Sequence, residues 1–180
     1  MKYILILVLF VSNMATAQKH FTKTGLTTFK ASVDTFEPIE AKNESTTVIL
    51  NTETGAIAAL LFVKAFHFEI ALMQEHFNEN YMDSDKFPKA TFKGQLIDFN
   101  MKHLSSEDKE FQLKGTLTIR GKDKLIATVA KLKKQHNKIV ITSNLTVKPE
   151  EFDIKIPGIV RDKIAKSINL NLHYELVEKK

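Results

Sequence analysis

Apolar and polar side chains alternate with a period of two along most of the chain. Phe111, Leu113, Gly115, Leu117 and Ile119 share one side, while Gln112, Lys114, Thr116, Thr118 and Arg120 share the other. That is the pattern of a strand with one dry face and one wet face. Arg120-Gly-Lys-Asp-Lys124 supplies a turn, and Leu125 to Leu132 begins the return strand. Lys138 to Val147 follows with Ile139, Ile141, Leu145 and Val147 on one side, and Ile168 to Leu176 keeps Ile168, Leu170, Leu172, Tyr174 and Leu176 together. In the N-terminal half, Thr24 to Ala31, Glu44 to Asn51, Ala58 to Phe68 and Ala90 to Leu96 read as further strands. The run from Ala58 to Val63 is apolar at every position, which predicts a strand covered on both faces.

Two segments break this period. From Ala71 to Met82, Leu72, Met73, His76, Phe77 and Met82 gather near one helical face, so a short helix is expected there. Asp83 to Pro88 then forms a loop into the next strand. The second break is the long connection Lys148 to Gly158, which carries Phe152, with a helical turn expected around Ile159 to Lys166. No internal repeat, low-complexity tract or linker divides the chain. The fold class is therefore all-β with a short helix: about eight antiparallel strands closing into an extended barrel that leaves no free edge.

The N-terminus obeys a different logic. Met1-Lys2-Tyr3, an apolar run from Ile4 to Val11 and the small residues Ala15 and Ala17 are the parts of a secretory signal peptide. The run is shorter than the ~20 residues that span a bilayer. Residues 1–17 are read as that signal and 18–180 as one domain, giving a periplasmic or secreted protein. The chain has no cysteine, so disulfides, thiolate chemistry and a lipobox anchor are all excluded. The formal charge of +5 comes from scattered lysines. Their densest cluster, Lys131-Leu-Lys-Lys134, is expected beside a hairpin turn and has no interleaved aromatics, so nucleic-acid binding is not expected.

Candidate chemistry is sparse. The six histidines form no metal-binding spacing, and the glycines form no phosphate-cradling loop. There is no nucleophile-elbow serine, and Asp83 and Asp85 suit an ordinary turn. Neither a catalytic centre, a metal nor a cofactor is indicated. Thirteen phenylalanines against three tyrosines and no tryptophan are more telling. Phe62, Phe66, Phe68, Phe77, Phe87, Phe92 and Phe99 crowd the helix and its neighbouring strands, supplying large apolar area without hydrogen-bonding demands. Such residues suit a packed core, the default reading, or a greasy cavity, and periodicity alone does not choose.

Two blocks carry a resemblance. His76 to Phe92, with a histidine in a short helix and an aromatic-Pro-x-x-x-Phe strand entry at Phe87 to Phe92, is followed by Leu113-Lys-Gly-Thr-Leu-Thr-Ile-Arg-Gly121. Together they resemble the YceI-like family of exported lipid-binding proteins. The resemblance implies a lipocalin-like barrel with an apolar channel for a polyisoprenoid or fatty-acyl chain. On that expectation Phe62, Phe66, Phe68, Met73, Phe77, Phe87, Phe92, Leu113, Leu117, Ile119, Leu145 and Phe152 line the channel and its mouth, while His76 and Tyr81 orient a headgroup. Lys122 to Ala127 and Glu151 to Ile154 depart from the family pattern, the second lacking its glycine. The expected partner is an isoprenoid or fatty-acid-type lipid, without stable membrane insertion and with a homodimer left open. The rival is a packed barrel serving as a scaffold for protein partners; an enzyme would need polar groups clustered in the bore.

Overall fold

The computed structural model describes residues 19–33 and 38–179. The expected signal peptide, residues 1–17, lies outside the described residues. Eight long strands form the wall: β1 (Lys19–Ser32), β2 (Glu40–Asn51), β3 (Ala56–Phe62), β5 (Lys89–Leu96), β6 (Lys109–Ile119), β7 (Lys122–Gln135), β8 (Lys138–Val147) and β9 (Ile164–Glu178). A two-residue strand, β4 (His67–Phe68), pairs only with Ala41 and Lys42 of β2. The order around the sheet is β1-β9-β8-β7-β6-β5-β3-β2, and β2 pairs back onto β1. Every pairing is antiparallel. Closure gives each of the eight wall strands two partners, so the long edges that invite aggregation are gone. One helix, α1 (Ala71–His76), continues into a wider π turn at Phe77–Tyr81.

Turn chemistry sets the register. Arg120 and Gly121 alone join β6 to β7, with φ of 51° and 71°, the left-handed pair that matches the twist of a tight hairpin. Ile119 therefore faces Lys122, and alternation keeps Leu117 and Leu113 inward along β6. His136, at φ 56°, turns the chain between β7 and β8.

Three expectations change. The apolar run after Ala58 does not make a doubly covered strand, because Ala58 and Phe62 are exposed on the outer wall. The strand expected to reach Phe68 stops at Phe62, where a single turn (Val63–Ala65) intervenes before β4. Helical structure before the last strand is confined to Gly158–Val160, and β9 is already formed at Ile164. Lys131 to Lys134 fall at the end of β7, beside the turn at His136 and Asn137 where the cluster is expected. There, Lys131 and Lys133 pair with Glu110 and Asp108 at 3.2 Å each.

Candidate functional site

The barrel is packed at one end and hollow at the other. At the packed end, Val48, Leu50, Ala130, Leu132 and Leu176 have no exposed surface, and Leu96, Ile139 and Ile141 are nearly as buried. At the other end the inward residues of the same strands, including Leu61, Phe92, Ile126, Leu145, Ile168 and Leu170, are only half-buried. They surround a cavity of about 590 Å³. The default reading of a packed core thus holds for one half of the barrel only.

The floor of the cavity is a chain of hydroxyls. Thr27 Oγ1 lies 2.9 Å from Thr46 Oγ1 and 3.0 Å from the Tyr174 hydroxyl, all three side chains being buried. The Tyr174 ring occupies the space that a side chain at Gly25 would need, since a Cβ there would stand 3.0 Å from Tyr174 Cε1. Burial pushes the Tyr174 phenol up to about 12, with the Thr27 hydrogen bond opposing that shift. A second pairing of ring and glycine shapes the wall. Gly94 of β5 faces Gly115 of β6, and a Cβ on either would come within 2.7 Å of the Phe92 ring. The missing side chains let that ring lie along the wall instead of across the bore.

The mouth is built by two connections. On one side Phe29, Phe66, Phe68 and Phe77 form an aromatic cluster with ring centroids 5.1–5.7 Å apart. It seats α1 against the rim, and Gln74 Oε1 accepts a hydrogen bond from the Phe68 amide at 3.2 Å. No residue of α1 or its π turn is fully buried. Leu72 and His76 line the cavity yet remain exposed, so the opening lies beside them. On the other side the connection from β8 to β9 folds inward. Phe152 is almost fully buried against Leu117 and Val147, and Ile154 and Ile156 follow it along the lining. Asp153, left-handed at φ 56°, pins this strap: its carboxylate lies 2.7 Å from Lys122 Nζ, and Arg120 Nη1 donates to its carbonyl. The hydrogen bond from Lys122 and that lysine's charge hold the Asp153 carboxyl below the usual range.

Most of the residues expected to line a channel converge on this cavity: Phe66, Phe68, Met73, His76, Phe77, Tyr81, Phe92, Leu113, Leu117, Ile119, Leu145 and Phe152. Phe62 and Phe87 do not. Phe62 falls on the outward phase of β3, half-exposed beneath the Lys89 ammonium at 5.3 Å from its ring centroid. Phe87 sits outside, under Lys86 and Arg120 and against Gly121. Sequence reading passed over Phe29, the Thr27–Thr46–Tyr174 floor and the pair Ile154 and Ile156. Alternation carried a usable signal for Phe29, which shares a face with Thr27 and Ala31. Phe152, Ile154 and Ile156 likewise keep a period of two within what reads as a loop. Nothing local marks Thr27 and Tyr174 as partners, because they meet only through barrel closure.

Among the described residues, the basic side chains on the lining are His76 and Lys163, both exposed, and no carboxylate lines it. Burial raises the Tyr81 phenol above its ordinary value. Among the described residues no three His, Asp or Glu side chains gather in a way that could hold a metal ion.

A closed antiparallel barrel of eight strands, plugged at one end by its own side chains and hollow at the other, is the lipocalin-like cavity barrel. A family model described as the YceI-like domain matches residues 11–176, and the chain belongs to the YceI-like family. Solved structures share its fold at low identity. A polyisoprenoid binding domain from Saccharophagus degradans superposes with a TM-score of 0.76 at 12% identity, over 89% of this chain and 98% of that one. BcnA from Burkholderia cenocepacia gives 0.69 at 14% identity, over 84% and 96% of the two chains. The YCEI protein of Campylobacter jejuni gives 0.62 at 16% identity, over 81% and 87%. No curated protein matches the sequence.

Proposed function

We propose that this chain is an exported binding protein that holds one long apolar molecule, a polyisoprenoid or fatty-acyl lipid, in the hollow half of its barrel. Transport, storage and sequestration are the roles such a site serves. The observation that carries this reading is the cavity of about 590 Å³, which lies within the roughly 300–1,000 Å³ range of ligand sites. Its lining is almost wholly aliphatic and aromatic, and several of its few polar groups already bond to protein. Ser143 donates to the Val129 carbonyl at 2.8 Å and Thr128 to the Asn144 carbonyl at 2.7 Å. Removing a chain from water into such a site yields ~25 cal/mol per Å² of apolar surface, against an association cost of ~4–15 kcal/mol. A long chain is needed to exceed that cost. The polyisoprenoid binding domain of Saccharophagus degradans, which shares the fold, favours the same class of cargo.

The ligand enters tail first in this reading. Apolar surface continues to the floor, while His76, Tyr81 and Lys163 stand where a headgroup would meet solvent. Binding rather than catalysis is favoured because the described residues of the bore form no constellation of acid, base and nucleophile. Export rests on the N-terminal pattern of residues 1–17. Native mass spectrometry of protein purified without detergent, followed by lipid extraction, tests the reading. One amphiphile per chain is expected; a protein with neither bound nor exchangeable lipid would sink it.

A further inference from the structure

The cavity has a fixed depth. Past the Thr27–Thr46–Tyr174 floor lie Val48, Leu50, Leu132 and Leu176, none with any exposed surface. A chain could go deeper only by unpacking a core held at crystal-like density. Tyr174 is itself hard to displace. Turning its ring away would break the hydrogen bond to Thr27 and vacate the space above Gly25 that the ring fills. The width is limited as well, since an eight-stranded barrel leaves room for its own side chains or one small ligand. Volume supplies the scale. A cavity of roughly 150 Å³ accommodates one benzene, six carbons, and about 590 Å³ is about four times that volume.

We propose that this cavity is a length-selective site for a single amphiphilic chain of about two dozen carbon atoms, with Thr27, Thr46 and Tyr174 forming its stop. The inference rests on the lipid-binding reading above and goes further, because that reading alone sets no upper length. A chain that reaches the stop gains nothing from further methylenes, which remain outside in water. A polyisoprenoid of about forty carbons would leave about two-fifths of its length at the mouth by the same scaling.

The test is displacement of a fluorescent fatty acid by a homologous series of fatty acids and linear prenols spanning about ten to about forty carbons. Affinity should tighten about fourfold per added methylene, the equivalent of ~0.8 kcal/mol, and then level off near two dozen carbons. A rise that continues unbroken to forty carbons overturns the length stop while leaving lipid binding intact. Failure of the protein to bind the probe or any chain overturns both. Two variants move the limit in opposite directions. Ala59→Phe, on the lining of β3, adds a six-carbon ring to the bore and should bring the plateau down by about six carbons. Tyr174→Leu removes the stop and should raise it. Should Tyr174→Leu not fold, Ala59→Phe decides alone, and a plateau that it leaves in place refutes the proposal.

Discussion

Leu132 of β7 and Leu145 of β8 both point into one barrel from neighbouring strands, yet they meet opposite surroundings. Leu132 is completely enclosed among Leu50, Ile139, Ile141 and Leu176. Leu145 is half-buried and faces the cavity. The same alternation that gives stability at one end gives empty space at the other. Composition differs little along these strands. What differs is the reach of the side chains opposite: a ring that lies along the wall above Gly94 and Gly115 leaves a void that branched aliphatics at the packed end do not.

Several measurements can break or sharpen this contrast. Leu132→Ala should cost about 3 kcal/mol in a denaturant titration, because its cavity opens inside a fully packed cluster. Lipid occupancy should act next most strongly. A chain amphiphile at about a hundredfold above its Kd should add ~2.7 kcal/mol in a thermal melt, equally in wild type and in Leu132→Ala. A ligand that rescued only the packed-end variant would show that the two ends are not independent.

Tyr174 joins the two halves and carries its own pH signature. Its phenol ionises near 12 when folded and near 10 when unfolded. Between those values the unfolded chain has lost a proton that the native chain retains, so stability falls as pH rises. Between the two values the slope is ~1.4 kcal/mol per pH unit; the stability itself is intact below pH ~10 and is lost progressively toward pH ~12. Comparing alkaline melts of wild type and Tyr174→Phe isolates this slope from that of the lysines; identical slopes would contradict the burial of the phenol. Leu145→Ala should cost only about 1 kcal/mol, since many of its atoms already lack partners across the void. A loss equal to that of Leu132→Ala would mean that the hollow end is as tightly packed as the other. The smallest effect is expected at the strap. Asp153→Ala removes the contact with Lys122 and should leave the melting temperature unchanged while speeding lipid release by about a few-fold in stopped-flow fluorescence. With the Asp153 carboxyl held low, this clamp is whole at neutral pH and dissolves only in acid, as pH falls through the depressed value.

Much of this was legible in the residues. Phe111 to Ile119 announced β6, and Arg120-Gly121 announced its turn, because strand phase and left-handed turn positions are local properties. The same phase places Phe62 outside, but a wholly apolar run hides it, since Ala58 to Val63 offers no polar face against which to count. Phe87 misled for another reason: its neighbours Arg120 and Gly121 come from a distant hairpin.

The sequence by itself determined a single all-β barrel with a short helix, a family, and most of the side chains that ring the bore, because each follows from short-range periodicity or a contiguous motif. Only the tertiary structure decided that half of the barrel is hollow. A void depends on which side chains meet across the closed sheet. The contacts of Tyr174 with Gly25 and Thr27, nearly the length of the chain away, are fixed when β9 pairs with β1 and not before.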